Sequence, residues 1–157
     1  MAVLLTTASL LTTSAHGAAV SGFECVWQRA PAKARATLDL RDPVPLMQAC
    51  DVSLTGDTAR LLGLYFSARR KLDVTREALQ NDSGLSDERL AALVAMMGVD
   101  DRAAIMEIPT HLVLPEPLAA RLRQAVAASG IPESDLPHRQ FVIQYIMASV
   151  MVDELTH

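Results

Sequence analysis

The sequence predicts an all-α protein, a compact bundle of five to seven helices with an apolar C-terminal helix at its centre. Three observations predict this class. Apolar residues recur at helical spacing along the chain. Strand signals are scarce, and neither an Asn-Gly nor an Asp-Gly hairpin turn occurs. Half of the 157 residues are apolar, which excludes a disordered chain.

The N-terminal segment has the composition of an export signal. Residues 1–22 contain no Asp, Glu, Lys or Arg, and they mix apolar residues with Thr and Ser. Two triplets, residues 15–17 (Ala-His-Gly) and 17–19 (Gly-Ala-Ala), place small residues at the −3 and −1 positions of a signal-peptidase site. The basic segment that usually comes first is missing. We expect a signal peptide over residues 1–22 and a single helical domain over residues 23–157.

The alternative for this segment is a buried N-terminal helix. Four threonines make that helix poor, because β-branched side chains lose rotamer freedom in a helix. An export signal implies a periplasmic or secreted protein, and the rest of the chain is interpreted on that basis.

Two cysteines, Cys25 and Cys50, lie after the expected signal. In an exported protein such a pair indicates one disulfide bond. Their spacing excludes a CxxC redox motif, and no CxxCH haem-attachment site is present. If the protein were not exported, two unpaired buried thiols would be the better interpretation.

The helices can be assigned in chain order. Three prolines interrupt residues 23–52, where we expect two short helices. A long helix should cover residues 57–80, with Asp57 as its N-cap. Ser86 should cap the next helix, which is predicted to end near Met97. Residues 100–108 should form a short helix that stops at Pro109.

The last two helices differ in character. Residues 117–129 form an amphipathic pattern with Pro117 in the first turn. The final helix begins near Pro137, and its residues 141–152 are almost all apolar. The two polar exceptions, Gln144 and Ser149, lie about 140° apart on a helical wheel, so they do not form a polar face.

This final helix has three possible roles. A membrane span needs about 20 apolar residues, so the run is too short, and no transmembrane helix is expected in the mature chain. A core helix that the other helices surround is the favoured interpretation. The alternative is a subunit interface, which would give a homodimer through the C-terminal helix.

Catalytic and nucleic-acid-binding motifs are not evident. The sequence lacks HExxH, GxSxG, GxGxxG and a P-loop. His111 and His138 are interpreted as solvated or packed residues, since a general base needs a positioned partner. Residues 69–71 (Arg-Arg-Lys) form the only basic cluster, and Asp73 is expected to balance it. The net charge of −4 argues against a nucleic-acid binder. A weak contact of this cluster with anionic lipid or nucleic acid is the alternative.

The methionines are the remaining candidates for ligand binding. Thioether side chains fill gaps in cores and line adaptable binding surfaces. The candidate residues are Met96, Met97, Met106, Met147 and Met151. Met147 and Met151 lie one helical turn apart, and sulfur is a ligand for Cu(I). No His or Cys accompanies them in sequence, so neither a metal nor a cofactor is predicted.

These observations favour an exported, non-catalytic binding or protein-interaction module that takes an unknown protein partner or an apolar ligand. One alternative is a small-molecule or metal carrier with a Met-lined apolar pocket. Another is an enzyme whose site the sequence does not reveal.

Overall fold

The computed structural model describes residues 15–111 and 113–157, with side chains over residues 22–109 and 113–157. The first 14 residues, which hold most of the expected export signal, lie outside the described residues. Over the described ranges the chain forms eight helices and no strand, which confirms the all-α class. The helices are α1 (Ala15–Arg29), α2 (Ala32–Thr37), α3 (Val44–Ala49), α4 (Gly56–Asn81), α5 (Asp87–Ala95), α6 (Val99–His111), α7 (Glu116–Ser129) and α8 (Leu136–Glu154).

Proline residues set the boundaries of the first three helices. Pro31 immediately precedes α2, and Pro43 immediately precedes α3, whose first turn also contains Pro45. The missing N–H of proline costs little at a helix start, where the first donors have no intrahelical partner. Three helices therefore occupy the region where two were expected, because α1 begins before residue 23 and continues to Arg29.

Side-chain caps fix three other helix starts, and the carboxylate of Asp135 caps α8 by accepting from the backbone N–H of His138 at 3.3 Å. The Ser86 hydroxyl accepts a hydrogen bond from the backbone N–H of Arg89 at 3.2 Å, as the sequence predicted. Asp57 is not the cap of α4. Thr55, two residues earlier, accepts from the N–H of Thr58 at 3.1 Å, and Asp57 lies in the first turn, where the helix dipole favours a carboxylate.

Helix α6 is longer than predicted. It continues past Pro109 to His111, although the sequence suggested a stop at the proline. Pro109 lies near the C-terminal end of the helix, where the loss of one hydrogen bond affects only the final turn.

The larger hydrophobic core surrounds α8, which packs against α4, α5, α6 and α7. Val142, Ile146 and Val150 are fully buried and recur every four residues. Leu90, Ile105 and Leu122 bring fully buried side chains to the same core from α5, α6 and α7. The prediction of a central, apolar C-terminal helix is confirmed.

A second core cluster joins α1 and α3 to the N-terminal half of α4. The Trp27 ring meets the Phe66 ring edge-on with centroids 4.9 Å apart, and Phe23 packs against Tyr65 at 5.9 Å. Such aromatic pairs stabilise by about 0.5–1.5 kcal/mol beyond the burial of their area. Since α4 and α8 contribute to both clusters, these two helices connect the halves of the fold.

Among the helices described, none has both the length and the hydropathy needed to span a bilayer.

Ile146→Asp should unfold the protein. The side chain of Ile146 is completely buried, so the substitution places an uncompensated charge in the core, at a cost of about 3–5 kcal/mol. That loss is a large share of the total stability of a small domain. Circular dichroism during urea titration measures it. Gln140→Asp, which adds the same charge at an exposed position of α8, should leave the transition within experimental error. A folded Ile146→Asp protein that has only lost an oligomeric state would show that α8 is an interface.

Candidate functional site

A polar pair lies between α1 and α4. The Tyr65 hydroxyl donates a hydrogen bond to the Glu24 carboxylate, which also accepts one from the Gln28 amide at 3.0 Å. Burial and the bond to Glu24 raise the pKa of Tyr65. Burial acts to raise the pKa of Glu24, but the bonds from Tyr65 and Gln28 and the charge of Arg69 outweigh it and hold that pKa below its usual value. Because Tyr65 is completely buried, the pair serves to pack α1 on α4.

His138 lies in the first turn of α8 and faces two carboxylates. Its Nδ1 is 2.8 Å from both oxygens of Asp135, and its Nε2 is 3.5 Å from Asp82 at the C-terminal end of α4. The hydrogen bond with Asp135, followed by that with Asp82, raises the pKa of His138 above its ordinary value of 6.5. With a carboxylate at each ring nitrogen, the imidazole links the ends of two helices and is not placed as a general base. The side chain of His111 lies outside the described ones.

Two acidic residues at the C-terminal end of α8 have a clear partner. Arg102 of α6 donates hydrogen bonds of 2.7 Å to Asp153 and of 2.7 Å to Glu154. These bonds raise the pKa of Arg102. A helix dipole disfavours carboxylates at a C-terminus, and the guanidinium compensates for this. The sequence did not suggest this pairing, because the partners lie on different helices.

Cys25 and Cys50 lie at the distance of a disulfide bond. Their sulfur atoms are 2.11 Å apart and their Cα atoms 5.8 Å apart. The chain-entropy model assigns about 3–4 kcal/mol of stabilisation to a crosslink that closes a loop of this length. Gly22 packs beside the pair. A Cβ atom at this position would lie 2.9 Å from the carbonyl oxygen of Cys50 and would overlap the side chain of Val52.

The five candidate methionines occupy three environments. Met97 is buried in the larger core, against which the partly buried Met96 also packs. Met106 packs against the second cluster. Met147 and Met151, one turn apart on α8, are brought together and line a single surface concavity. No cluster of three or more His, Cys, Asp or Glu side chains suited to a metal ion occurs among the residues that the structure describes.

That concavity is one half of a groove between α4 and α8. The half that contains the methionines has a volume of about 240 Å³, and the other half about 390 Å³. The first half is lined by Leu64, Ala68, Met147, Ala148 and Met151. The second is lined by Leu38, Arg70, Val74, Thr75 and Phe141. Ser67, Lys71 and Gln144 line both, so the two concavities adjoin along α4 and α8, and together they are here called the α4–α8 groove.

The shape of the groove follows from the side chains along its floor. Ala68 and Ala148 are small and buried, and they leave a depression where α4 and α8 run side by side. Larger apolar residues stand at either end. Among these, Leu38 is 40% exposed and Val74 is 54% exposed, so apolar surface is open to solvent. Exposed apolar surface collected in a concave site is typical of a binding surface.

The electrostatics of the groove are one-sided. Lys71 and Arg70 contribute positive charge, whereas neither half is lined by Asp or Glu. Asp73 pairs with Arg69 at 3.7 Å and not with Arg70, so the expected balance of the basic cluster is incomplete. Within the described part of the chain, Arg70 and Lys71 form no salt bridge.

A larger concavity around α2 has a different character. Its volume is about 530 Å³, and its lining includes Lys33, Arg41, Asp39 and Asp42. Charges of both signs are mixed there, and Arg41 pairs with Asp39 at 3.2 Å. Because acidic and basic side chains are mixed in that lining, its charge is less one-sided than that of the α4–α8 groove, which is therefore the stronger candidate site.

Comparison of the chain with protein-family models, with curated proteins and with solved structures finds no match.

The stability of the protein should decrease as His138 loses its proton. Because the pKa of His138 is raised in the folded state, its contribution is fully present below pH 6.5 and is lost as the pH rises through the folded pKa. The measurement is the free energy of unfolding in urea at several pH values from about 5.5 to 8. His138→Gln should remove this part of the slope. Asp82→Asn, which keeps the Asp135 cap of α8, should reduce it. An unchanged slope in His138→Gln would show that another group titrates.

Proposed function

We propose that this protein is a non-catalytic docking module that binds a protein partner in the α4–α8 groove. One observation carries the proposal: over the described residues, an apolar groove is lined by two cations that form no salt bridge and by no acidic residue, on a chain whose net charge is −4. Because the rest of the chain has an excess of negative charge, the positive and apolar lining of the α4–α8 groove differs from the remaining surface. Such a surface attracts a ligand that is apolar and negatively charged.

The openness of the groove supports a macromolecular partner. Pockets for small ligands usually enclose 70–90% or more of the ligand surface. Here Ser67 and Lys71 are exposed and Val74 is 54% exposed, so the trough is open along its side. A small-molecule carrier is the second candidate function, and the thioethers of Met147 and Met151 in one half of the groove favour it.

A photo-crosslinking residue at position 67 should capture the partner. Ser67 is exposed and lines both halves of the groove, so a benzophenone side chain there faces any occupant without entering the core. Irradiation of cells that make this variant should give a discrete protein adduct, identified by mass spectrometry. The same residue at the exposed position Gln124 of α7 is the control. A small mass increment at position 67 would favour the carrier. Equal adducts at both positions, or none, would count against the groove.

We further propose that the protein is exported to the periplasm or secreted. The uncharged N-terminal segment and the cysteine pair at bonding distance support this. The packing also favours a particular range of cleavage sites. Gly22 and Phe23 are both buried, and cleavage after Gly17 or Ala19 keeps them in the mature chain. Cleavage beyond Phe23 would remove a residue of the second core cluster.

Protein recovered from the native host should therefore lack its first residues. N-terminal sequencing should place the start between Ala18 and Phe23. Thiol labelling of the unfolded protein should leave Cys25 and Cys50 unmodified until a reductant is added. An intact Met1 together with two freely labelled cysteines would contradict both export and the disulfide. A covalent dimer on a non-reducing gel would show that a cysteine reaches another chain.

A further inference from the structure

We propose that the element bound in the α4–α8 groove is an amphipathic helix of about three turns that carries a carboxylate in the middle of its apolar face. This inference rests on the proposed docking function and names the chemistry of the partner. It is drawn from the length of the groove, from the position of its charge and from the type of its apolar side chains.

The length of the groove matches a short helix. From Leu64 to Val74 the lining extends over about 15 Å of α4, at 1.5 Å per residue. From Phe141 to Met151 it extends equally far along α8. A helix of about ten residues has the same length, and laying one apolar face in a groove between two helices is a common mode of peptide recognition.

The positive charge lies between the ends of the groove, because Arg70 and Lys71 both fall inside the stretch of α4 from Leu64 to Val74. Lys71 lines both halves, with Met147 and Met151 on one side of it and Phe141 and Val74 on the other. Along the length of the groove, a complementary ligand has an apolar segment, then an anionic group, then a second apolar segment. A helix provides this order when Asp or Glu has apolar residues three or four positions before and after it, all on one face. A fatty acid carries its carboxylate at one end, and a nucleic acid is anionic along its whole length, so both fit less well.

The N-terminal segment of the same chain does not have the required chemistry. Residues 1–14 include apolar side chains but no Asp or Glu. The acidic residue must therefore come from another molecule or from another part of a second copy. Met147 and Met151 add tolerance, because flexible thioether side chains adapt to apolar residues of different shape. The central charge is then the main determinant of specificity.

A displayed library of short helical peptides tests the inference on the oxidised, full-length protein. The library varies the residues of one face through all amino acids. Selection should enrich Asp or Glu at the centre, with apolar residues three or four positions away on both sides. For a selected peptide, Lys71→Glu should lower the affinity at least about tenfold, through loss of attraction and new repulsion. Replacing the peptide's carboxylate by lysine should restore binding to Lys71→Glu.

Two further variants make the result specific to the groove. Arg60→Glu is the matched control, because Arg60 is exposed on the same helix but does not line the groove, and it should leave the affinity unchanged. Ser67→Trp fills the groove from an exposed position and should abolish binding. Thermal unfolding of each variant by circular dichroism verifies that it is folded.

Several results would overturn the inference. Peptides that require an open groove but show no acidic preference would refute the carboxylate and leave the docking function standing. If every selected peptide still bound to Ser67→Trp, or if none were selected, the proposal of a bound helix would be refuted. The docking function would still be decided separately, by the crosslink from position 67. If no peptide were selected and the protein instead bound phosphatidylglycerol vesicles, with Lys71→Glu abolishing that binding, the groove would be assigned to a lipid surface. A dimer in sedimentation that Ser67→Trp dissociates would make a second copy the occupant.

Discussion

The fold depends on the burial of one helix that has no polar face. Val142, Ile146 and Val150 lie on the inner stripe of α8, and each fully buried side chain contributes about 1.5–3 kcal/mol. To cover α8, the chain places four other helices against it. Charged contacts then fix its two ends: His138 reaches the end of α4, and Arg102 holds the acidic residues at the C-terminal end. Burial thus determines which helix is central, and the polar contacts determine its position along its neighbours.

The α4–α8 groove is a consequence of this arrangement. α8 lies against α4 along most of its length, and the small side chains of Ala68 and Ala148 leave a trough at the solvent edge of this contact. Its methionines are partly buried, so the floor of the groove packs directly on the core. The groove thus combines a floor that packs on the core with the flexible thioether side chains of its methionines. Ser67 and Lys71 at the rim are exposed, so substitutions there should affect the packing of the core little.

Local rules predicted the features that depend on neighbouring residues in sequence. Ser86 caps α5 by a hydrogen bond within the first turn of that helix, as predicted. The nearly unbroken apolar run of α8 correctly indicated that this helix is central. The rules failed where a distant residue or an alternative nearby cap decided the outcome. Thr55 replaced Asp57 as the cap of α4. The partners of His138 and Arg102 lie on other helices, and helical periodicity carries no information about which helices are adjacent.

The candidate site shows the same division between local and tertiary information. Because Met147 and Met151 are four residues apart, the sequence placed them on one face, and both line the groove. The sequence also assigned the charge of the basic cluster to internal pairing, since Asp73 is within helical reach of several arginines. In the folded protein Arg69 pairs with Asp73, and Arg76 forms a salt bridge with Asp87 at 2.6 Å instead. Arg70, which is also within helical reach of Asp73, and the adjacent Lys71 have no salt bridge in the described part of the chain, so the lining of the groove carries positive charge beside its apolar side chains.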